Sequence, residues 1–261
     1  MRHLDLFSGI GGFALAAQWM GWQTVAFCER EKYARRVLEQ HWPGVPIIDD
    51  ITKWPSERIG CDIITGGFPC QPFSCAGKQA GKQDDRYLWP AMLSVIKRER
   101  PTWVVGENVL GIIKMALDQV LFDLEAIGYA TRAFIVPACA VDAHHRRDRV
   151  WVVAMADSNS IKRQMLPKES LLGKQHIQGQ LGRSSENQLN RWPSEPALGR
   201  VAHGIPNRTH RIKGLGNAIV PQVAYEIFSH LEALSQSKND YALRKPGGRA
   251  VEVAAHNLQE P

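Results

Sequence analysis

Short apolar runs alternate with amphipathic stretches over the first 156 residues of the chain. Strand-like runs occupy residues 2–7, 24–28, 45–48, 62–65, 103–106, 130–136 and 150–154. Between several of them, apolar positions recur at helical spacing over residues 13–20, 31–41, 88–98 and 115–126. Strands that alternate with helices predict an α/β fold of the Rossmann-like, doubly wound kind, in which helices cover both faces of a mostly parallel sheet.

The alternation stops after residue 156, and we expect four regions along the chain. Residues 1–156 form the first part of the main domain, and residues 157–203 form a short region rich in Ser, Asn, Gln, Gly, Lys and Arg. Residues 204–235 return to an ordered pattern that completes the main domain, with a helix from about Pro221. Residues 236–261 are polar and unpatterned, which predicts a mobile tail.

The composition is that of an ordinary globular protein, with 44% hydrophobic and 22% charged residues. No apolar run approaches the roughly 18 residues that a membrane span needs. The amino-terminal residues carry no signal-peptide pattern. We therefore expect a cytoplasmic protein with no membrane partner.

Five cysteines, an odd number, make a disulfide framework unexpected in a chain of this size. No C-x-x-C pair occurs, so the sequence predicts no structural zinc or other metal site. Four of the five are expected to be buried structural thiols: Cys28, Cys61, Cys75 and Cys139.

The net charge of +6 resides in one part of the chain. Residues 156–213 hold ten Lys and Arg against four Asp and Glu, whereas the remaining residues hold 22 of each. A polyanionic partner explains this excess, and a solvated surface loop explains it equally well.

A glycine-rich turn, Ser8 to Gly12, links the first strand to the first helix. Glycines at such a turn let a ligand approach the backbone, although a plain tight turn has the same composition. Glu29 ends the second strand, where a carboxylate can accept hydrogen bonds from ribose hydroxyls. Asp50 ends the third strand, where it could bind an adenine amino group. These positions predict a nucleoside cofactor without separating a dinucleotide from S-adenosylmethionine.

Chemistry-bearing residues follow the next strands at the same predicted edge. Pro69 and Pro72 bracket Cys70 and restrict the backbone of a cysteine that is placed for nucleophilic work. Glu107 ends the following strand, where the alternative is a surface or ion-pair role. Alternation along an extended segment would put Arg147 and Arg149 on one side, ahead of the last strand.

These segments together resemble the cytosine-5 DNA methyltransferase family. The motifs are D-L-F-S-G-I-G-G, G-G-F-P-C-Q-P-F-S, E-N-V, R-x-R and G-L-G-N-A-I-V-P, which occur in the family's order over residues 4–228. The D-P-P-Y-like motif of amino-group methyltransferases is absent. The resemblance implies a class I methyltransferase fold and an enzyme that methylates carbon 5 of cytosine.

The resemblance also implies a role for each matching residue. Cys70 would add to the cytosine ring, Glu107 would hold nitrogen 3, Arg149 would bind O2, and Arg147 would support the loop geometry or the Cys70 segment. The implied cofactor is S-adenosylmethionine, and its predicted binding residues are Phe7, Ile10, Gly12, Glu29, Asp50, Ile51, Pro69, Leu88 and Asn217. The stretch from Cys70 to Leu88 would close over a flipped-out cytosine.

The implied partner is double-stranded DNA, and residues 157–203 would be its target-recognition region. This region is short, its only aromatic residue is Trp192, and its basic side chains could contact phosphates without selecting a sequence. We expect a monomer, and the sequence leaves open whether a cognate restriction enzyme or a helper subunit is a partner. The family implies a bacterial or phage host and a restriction-modification role. His145 stands where the family usually has Gln, and a tolerated polar substitution is the simplest interpretation.

Three other functions are compatible with parts of this sequence. Methylation of cytosine in transfer RNA would use the same fold and residues. A catalytically silent nucleic-acid-binding protein would not need intact Cys70, Glu107 and Arg149. A nicotinamide-dependent oxidoreductase would explain the glycine loop and Glu29 but has no use for the Cys70 loop.

Overall fold

A single seven-stranded sheet organises the protein, whose computed structural model describes residues 1–69, 87–156 and 208–243. The strand order is β3-β2-β1-β4-β5-β7-β6. The strands are β1 Arg2–Leu6, β2 Gln23–Cys28, β3 Ile47–Ile48, β4 Ile63–Gly66, β5 Trp103–Val109, β6 Tyr129–Val136 and β7 Arg149–Ala156. The α/β prediction is confirmed.

Only β7 runs against the other strands of this sheet. It pairs antiparallel with both β5 and β6, whereas β1, β2, β3, β4 and β5 pair in parallel. The connection from β6 to β7 holds a 3₁₀ turn at Ala138–Val141 instead of a crossover helix, so the chain returns as an antiparallel neighbour. The strand order reverses between β1 and β4, and open α/β sheets bind ligands at such a point.

Seven α-helices are described. They are α1 Gly12–Trp19, α2 Lys32–His41, α3 Trp89–Glu99, α4 Ile112–Met115, α5 Leu117–Ala126, α6 Arg208–Asn217 and α7 Pro221–Leu243. Within the described ranges, none of these helices has both the length and the apolar character that a bilayer crossing requires.

Apolar layers lie on both faces of the sheet. On one face, α3 and α5 contribute Met92, Ile96 and Leu124 to the core. On the other face, Phe13 of α1 and Phe228 of α7 pack together in a stacked arrangement, with ring centroids 6.3 Å apart. Because α7 covers strands from the beginning of the chain, the carboxyl-terminal segment is part of the same core as the amino terminus.

The element boundaries differ from the predicted ones in places. The predicted helix 115–126 is divided at Ala116, whose φ of −153° interrupts the helix between α4 and α5. The helix that begins at Pro221 continues to Leu243 and enters the stretch expected to be an unpatterned tail. The predicted strand 45–48 is reduced to Ile47–Ile48. These ends depend on local backbone geometry and on tertiary contacts that an apolar pattern does not encode.

Candidate functional site

The turn between β1 and α1 has an unusual backbone. Phe7, Gly9 and Gly11 all have positive φ, at 54°, 55° and 87°. A side chain at Gly11 would also meet the Trp42 ring at 2.5 Å, so this position needs glycine. Phe7 is not a glycine, and its left-handed conformation is the kind of local strain that is found at ligand sites.

Glu29 holds this turn from the end of β2. Its Oε2 accepts a hydrogen bond from the Gly9 N–H at 2.7 Å, and its Oε1 accepts one from the Glu31 N–H at 2.7 Å. Each carboxylate oxygen can accept a further hydrogen bond. The Glu29 carboxylate is therefore fixed against the turn and keeps acceptor capacity for a ligand's hydroxyl groups.

Asp50 follows β3 and caps the 3₁₀ turn Ile51–Lys53. Its Oδ1 accepts hydrogen bonds from the Thr52 hydroxyl at 2.7 Å and from the Thr52 N–H at 3.0 Å. Those two bonds, the hydroxyl bond first, lower the pKa of Asp50, so the group stays an ionised acceptor. Ile51 is buried, and Phe7 and Leu88 pack against the same apolar cluster. A carboxylate here could hydrogen-bond to the polar groups of a nucleoside, and the apolar side chains beside it could pack against the flat base.

The carboxyl-terminal segment packs directly on the turn. A Cβ at Gly12 would lie 2.7 Å from Ile219 Cγ1, and one at Gly214 would lie 3.2 Å from Ile10 Cγ2. Asn217 is exposed and ends α6 between these two contacts. The predicted cofactor residues from the two ends of the chain are thus brought together.

Glu107 and Arg149 form an ion pair at the same edge of the sheet. Glu107 lies in β5 opposite Trp151, and Arg149 begins β7. Arg149 Nε lies 2.9 Å from Glu107 Oε1, and both side chains are largely buried. Burial raises the pKa of Glu107, while Arg149 and then Arg147 oppose that rise.

The chain that leads into the Cys70 loop is anchored beside this pair. Asn108 Nδ2 donates a hydrogen bond of 2.9 Å to the carbonyl of Phe68, whose ring packs on Trp89. Pro69 is exposed and is the last residue described before the gap, so Cys70 and the rest of 70–86 lie outside the described residues. The anchoring role of Asn108 was not predicted, although its position directly after Glu107 was available as a signal.

Arg147 contacts the carboxyl-terminal segment, and the Cys70 segment, one of its two expected partners, lies outside the described residues. Its Nη2 donates hydrogen bonds to the carbonyls of Gly216 at 2.9 Å and Ala218 at 2.7 Å. Its φ is +37°, so the segment before β7 is not extended at this residue. The premise of an extended backbone at Arg147 is therefore wrong, although Arg147 still lies close enough to Glu107 and Arg149 to affect both electrostatically.

A chain of buried polar side chains lies under the turn and was also missed. His3 contacts the Thr24 hydroxyl through Nδ1 at 3.0 Å and the Thr65 hydroxyl through Nε2 at 2.8 Å. The Thr65 hydroxyl donates to Asp5 Oδ1 at 2.9 Å. Burial lowers the pKa of His3 to about 3 and raises that of Asp5 to about 8.

The remaining cysteines only partly match their prediction. Cys28 is buried and Cys61 half-buried, and burial raises the pKa of each thiol to about 12. Cys139 is exposed, contrary to expectation, because Ala138 is the residue that the Ala138–Val141 turn buries. Cys75 lies in the undescribed part of the chain.

Comparisons with known proteins agree with this arrangement. The model of the family described as C-5 cytosine-specific DNA methylase matches residues 1–197. The type II methyltransferase M.DsaV of Dactylococcopsis salina is 31% identical over 166 residues, which are 61% of this chain and 47% of that protein. M2.BsuMI of Bacillus subtilis is 34% identical over 163 residues, 59% of this chain and 42% of that protein. M.HhaI of Haemophilus parahaemolyticus is 31% identical over 174 residues, which are 64% of this chain and 53% of that protein. The chain thus spans about half the length of these curated relatives.

Solved structures share the fold. A DNMT2 mutant of Spodoptera frugiperda superposes with a TM-score of 0.53 at 22% identity, covering 60% of this chain and 50% of that one. A putative DNA modification methyltransferase encoded within a prophage (E. coli) gives a TM-score of 0.52 at 24% identity, covering 62% of this chain and 48% of that one. With three quarters of its residues matched by the family model, the chain belongs to the C-5 cytosine-specific DNA methylase family.

Proposed function

We propose that this protein transfers a methyl group to carbon 5 of cytosine in double-stranded DNA. The observation that carries the proposal is the buried Glu107–Arg149 ion pair, set beside the anchored segment that leads to Cys70. The pair lies at the edge of the sheet that also holds the glycine-rich turn and Glu29. A proton donor, a cation and a nucleophile are what addition to a cytosine ring requires.

S-adenosylmethionine fits the cofactor edge. Glu29 would accept from the ribose hydroxyls and Asp50 from the adenine amino group, with Phe7, Ile51 and Leu88 against the base. Ile10, Gly12, Pro69 and Asn217 would complete the predicted set. The bound cofactor supplies an electrophilic methyl group.

The chain's own residues then make carbon 5 nucleophilic. The Cys70 thiolate adds to carbon 6, and the electron pair of the 5,6 double bond moves into the ring as Glu107 donates a proton to nitrogen 3. Arg149 holds O2 and stabilises the developing charge. After carbon 5 has gained the methyl group, a base, which we take to be water, removes its proton. The Cys70–carbon 6 bond then breaks and nitrogen 3 returns its proton to Glu107, which restores the ring, the thiolate and the carboxylic acid.

Glu107 must carry a proton to act in this way. Its burial raises the pKa in the required direction, while the charge of Arg149 opposes that rise. The cytosine must also leave the helix to reach the pair, at a cost of a few kcal/mol. The stretch from Cys70 to Leu88, which the resemblance implies would close over the flipped base, lies outside the described residues up to residue 86.

The nucleophile can be tested with duplex DNA in which 5-fluorocytosine replaces cytosine. Fluorine cannot leave as the proton does, so the protein should form a covalent adduct that survives denaturing electrophoresis when S-adenosylmethionine is present. Cys70→Ala should form none. Cys139→Ala is the matched control, because that thiol is exposed and lies outside the proposed site. An adduct with Cys70→Ala would show that another thiol attacks.

The nucleic acid can be tested by comparing labelled methyl transfer to plasmid DNA and to transfer RNA. We expect transfer to DNA, because the curated relatives reported above are named as type II methyltransferases. The likeness to a DNMT2 structure concerns the fold alone. Those names also support a role in restriction-modification, and methylation mapping of DNA from cells that express the protein would give the target sequence. Residues 157–203, the proposed recognition region, lie outside the described ranges.

A further inference from the structure

We propose that Arg147 is a positioning residue of the cofactor site: it holds the backbone on both sides of Asn217, and this leaves Arg149 to serve the cytosine. The inference rests on the proposed function. It assigns the two arginines of the R-x-R motif to different ligands, Arg147 to the cofactor and Arg149 to the cytosine. Family resemblance gave Arg147 a less definite role, in supporting the loop or the Cys70 segment.

The hydrogen bonds of Arg147 bracket Asn217. One terminal nitrogen donates to the carbonyls of Gly216 and Ala218, the residues before and after Asn217 in the chain. Both bonds come from a charged donor and are therefore stronger than neutral ones. Fixing two peptide groups in this way fixes the direction in which the Asn217 side chain leaves the backbone.

Helix α6 needs such an outside partner. It contains two glycines, Gly214 and Gly216, which are poor helix formers. The last carbonyls of any helix lack partners within the helix, and a cation near them is favoured by the helix dipole. Arg147 supplies the donor and the charge at this end.

The segment that Arg147 holds is also in contact with the glycine-rich turn. Ile219 lies against Gly12, and Gly214 lies against Ile10. A shift of the Gly216–Ala218 backbone would therefore disturb the turn and Asn217 together. Both are predicted to contact the cofactor, and neither touches the Glu107–Arg149 pair in the contacts described above.

The backbone of Arg147 is consistent with a specific task. Its φ of +37° is unfavourable for a residue with a side chain, and such conformations persist where the surroundings require them. The twist turns Arg147 toward the carboxyl-terminal segment while Arg149 points to Glu107, with Nε 2.9 Å from Oε1. Two arginines separated by one residue thus reach two different parts of the site.

The test measures binding of S-adenosylhomocysteine by calorimetry without DNA. Arg147→Met should weaken binding about 10- to 100-fold, the range expected when hydrogen bonds from a charged group are lost. Arg146→Met is the matched control: it removes the same charge from the neighbouring residue, whose side chain is 82% exposed and pairs only with Asp148 in the described contacts. It should change binding by less than about 2-fold. Arg147→Lys should recover part of the affinity.

Steady-state kinetics should separate the two arginines. Arg147→Lys, which keeps the charge that acts on Glu107, should raise KM for S-adenosylmethionine while kcat at saturating cofactor stays within about 3-fold. Arg149→Met should lower kcat by about 10²- to 10³-fold and leave binding of S-adenosylhomocysteine nearly unchanged. If Arg147→Lys binds like the wild type and loses kcat instead, Arg147 acts on the substrate and the inference is wrong.

A double-mutant cycle covers the case in which Arg147→Met does not fold. Arg147→Lys should weaken binding of S-adenosylhomocysteine in the wild-type background. It should cause little further loss once Asn217→Ala is present, because both changes remove the same contribution, that of a positioned Asn217. Additive losses would overturn the inference. Wild-type protein that fails to bind S-adenosylhomocysteine at all would instead refute the proposed function.

Discussion

Asp5 and Glu107 are two buried carboxyls on the same face of the sheet, and their surroundings differ. Asp5 lies inside β1 in register with Thr65 of β4, and its side chain is fully enclosed. Glu107 lies near the end of β5 and is 9% exposed. Strand alternation places both on the face covered by α1 and α7.

Their partners explain the difference. Asp5 accepts a hydrogen bond from Thr65, and its Oδ2 has no partner of normal geometry among residues 1–69, 87–156 and 208–243. Burial raises its pKa to about 8, with the Thr65 bond opposing and Glu29 adding to the rise. Glu107 has Arg149 at 2.9 Å. Burial therefore raises the pKa of both carboxyls, but only Glu107 has a cation beside it and a position near the end of a strand, at the proposed cytosine site.

Replacing Glu107, the proposed proton donor, should have the largest effect. Glu107→Gln keeps the shape of the side chain but cannot transfer a proton to nitrogen 3. We expect kcat for DNA methylation to fall about 10²- to 10⁴-fold, the usual contribution of a general acid. Binding of S-adenosylhomocysteine should stay within about 2-fold. Single-turnover methyl transfer and calorimetry would measure the two quantities.

Asp5→Asn is the control for this change, since it makes the same replacement in the enclosed carboxyl. An amide oxygen can still accept the Thr65 hydrogen bond, so turnover at saturating cofactor should fall less than about 10-fold. A larger loss with Asp5→Asn than with Glu107→Gln would reverse the proposed assignment of the two acids.

The second prediction concerns stability and pH. A folded-state pKa raised to about 8 means that Asp5 favours the folded state at low pH, and this contribution is lost as pH rises from about 4 to about 8. His3 acts in the opposite sense: its pKa lowered to about 3 means that stability is lost as pH falls from about 6.5 to about 3. The two contributions to stability change in opposite directions between about pH 4 and pH 6.5. From about pH 6.5 to pH 8, only the Asp5 contribution of these two still changes.

Urea unfolding at pH 6.5 and pH 8 would measure this effect. Over that interval the wild type should lose about 2 kcal/mol through Asp5, at roughly 1.4 kcal/mol per pH unit. Asp5→Asn should abolish the loss, because the amide does not titrate. Parallel changes in the two proteins would mean that Asp5 is already ionised when folded.

Much of the fold could be predicted because apolar runs bounded by Gly and Pro carry the strand and helix order. The antiparallel β7 could not, because it depends on a short connection that lacks a crossover helix. The break at Ala116 is likewise a local backbone feature with no apolar signature. The apolar pattern predicts whether an element is a strand or a helix. The direction of a strand in the sheet and the ends of an element depend on connections and backbone geometry.

The geometry of the candidate site could be predicted in part. Strand ends placed Glu29, Asp50 and Glu107 at one edge because parallel strands share that edge. The His3–Thr65 contact was missed, since it needs the register of β1 against β4. The partners of Arg147 were missed because they lie about 70 residues further along the chain.

The third prediction separates the cofactor side from the catalytic side with two glycines. Gly12→Ala would place Cβ 2.7 Å from Ile219 Cγ1, so the carboxyl-terminal segment must shift. We expect a loss of about 1–3 kcal/mol in unfolding free energy, as for other overpacked sites, together with weaker S-adenosylhomocysteine binding. Gly67→Ala is the control, because its Cβ would lie 3.5 Å from Glu107 Oε2, an ordinary contact. Thermal unfolding and calorimetry of both variants would show whether crowding at Gly12 acts through Ile219, and an equal loss of affinity in Gly67→Ala would contradict that explanation.

The smallest effect should come from a third buried carboxyl. Glu99 ends α3 and accepts hydrogen bonds from the Trp54 indole at 3.2 Å and the Gly60 N–H at 3.0 Å. It precedes β5 and so lies at the opposite end of the sheet from Glu107. Glu99→Gln can donate where the carboxylate only accepts, so we expect about 1 kcal/mol of destabilisation in urea unfolding and unchanged methyl transfer. If turnover fell as it should for Glu107→Gln, a buried carboxyl far from the proposed site would also affect the reaction, and the presence of Arg149 would no longer explain why Glu107 matters.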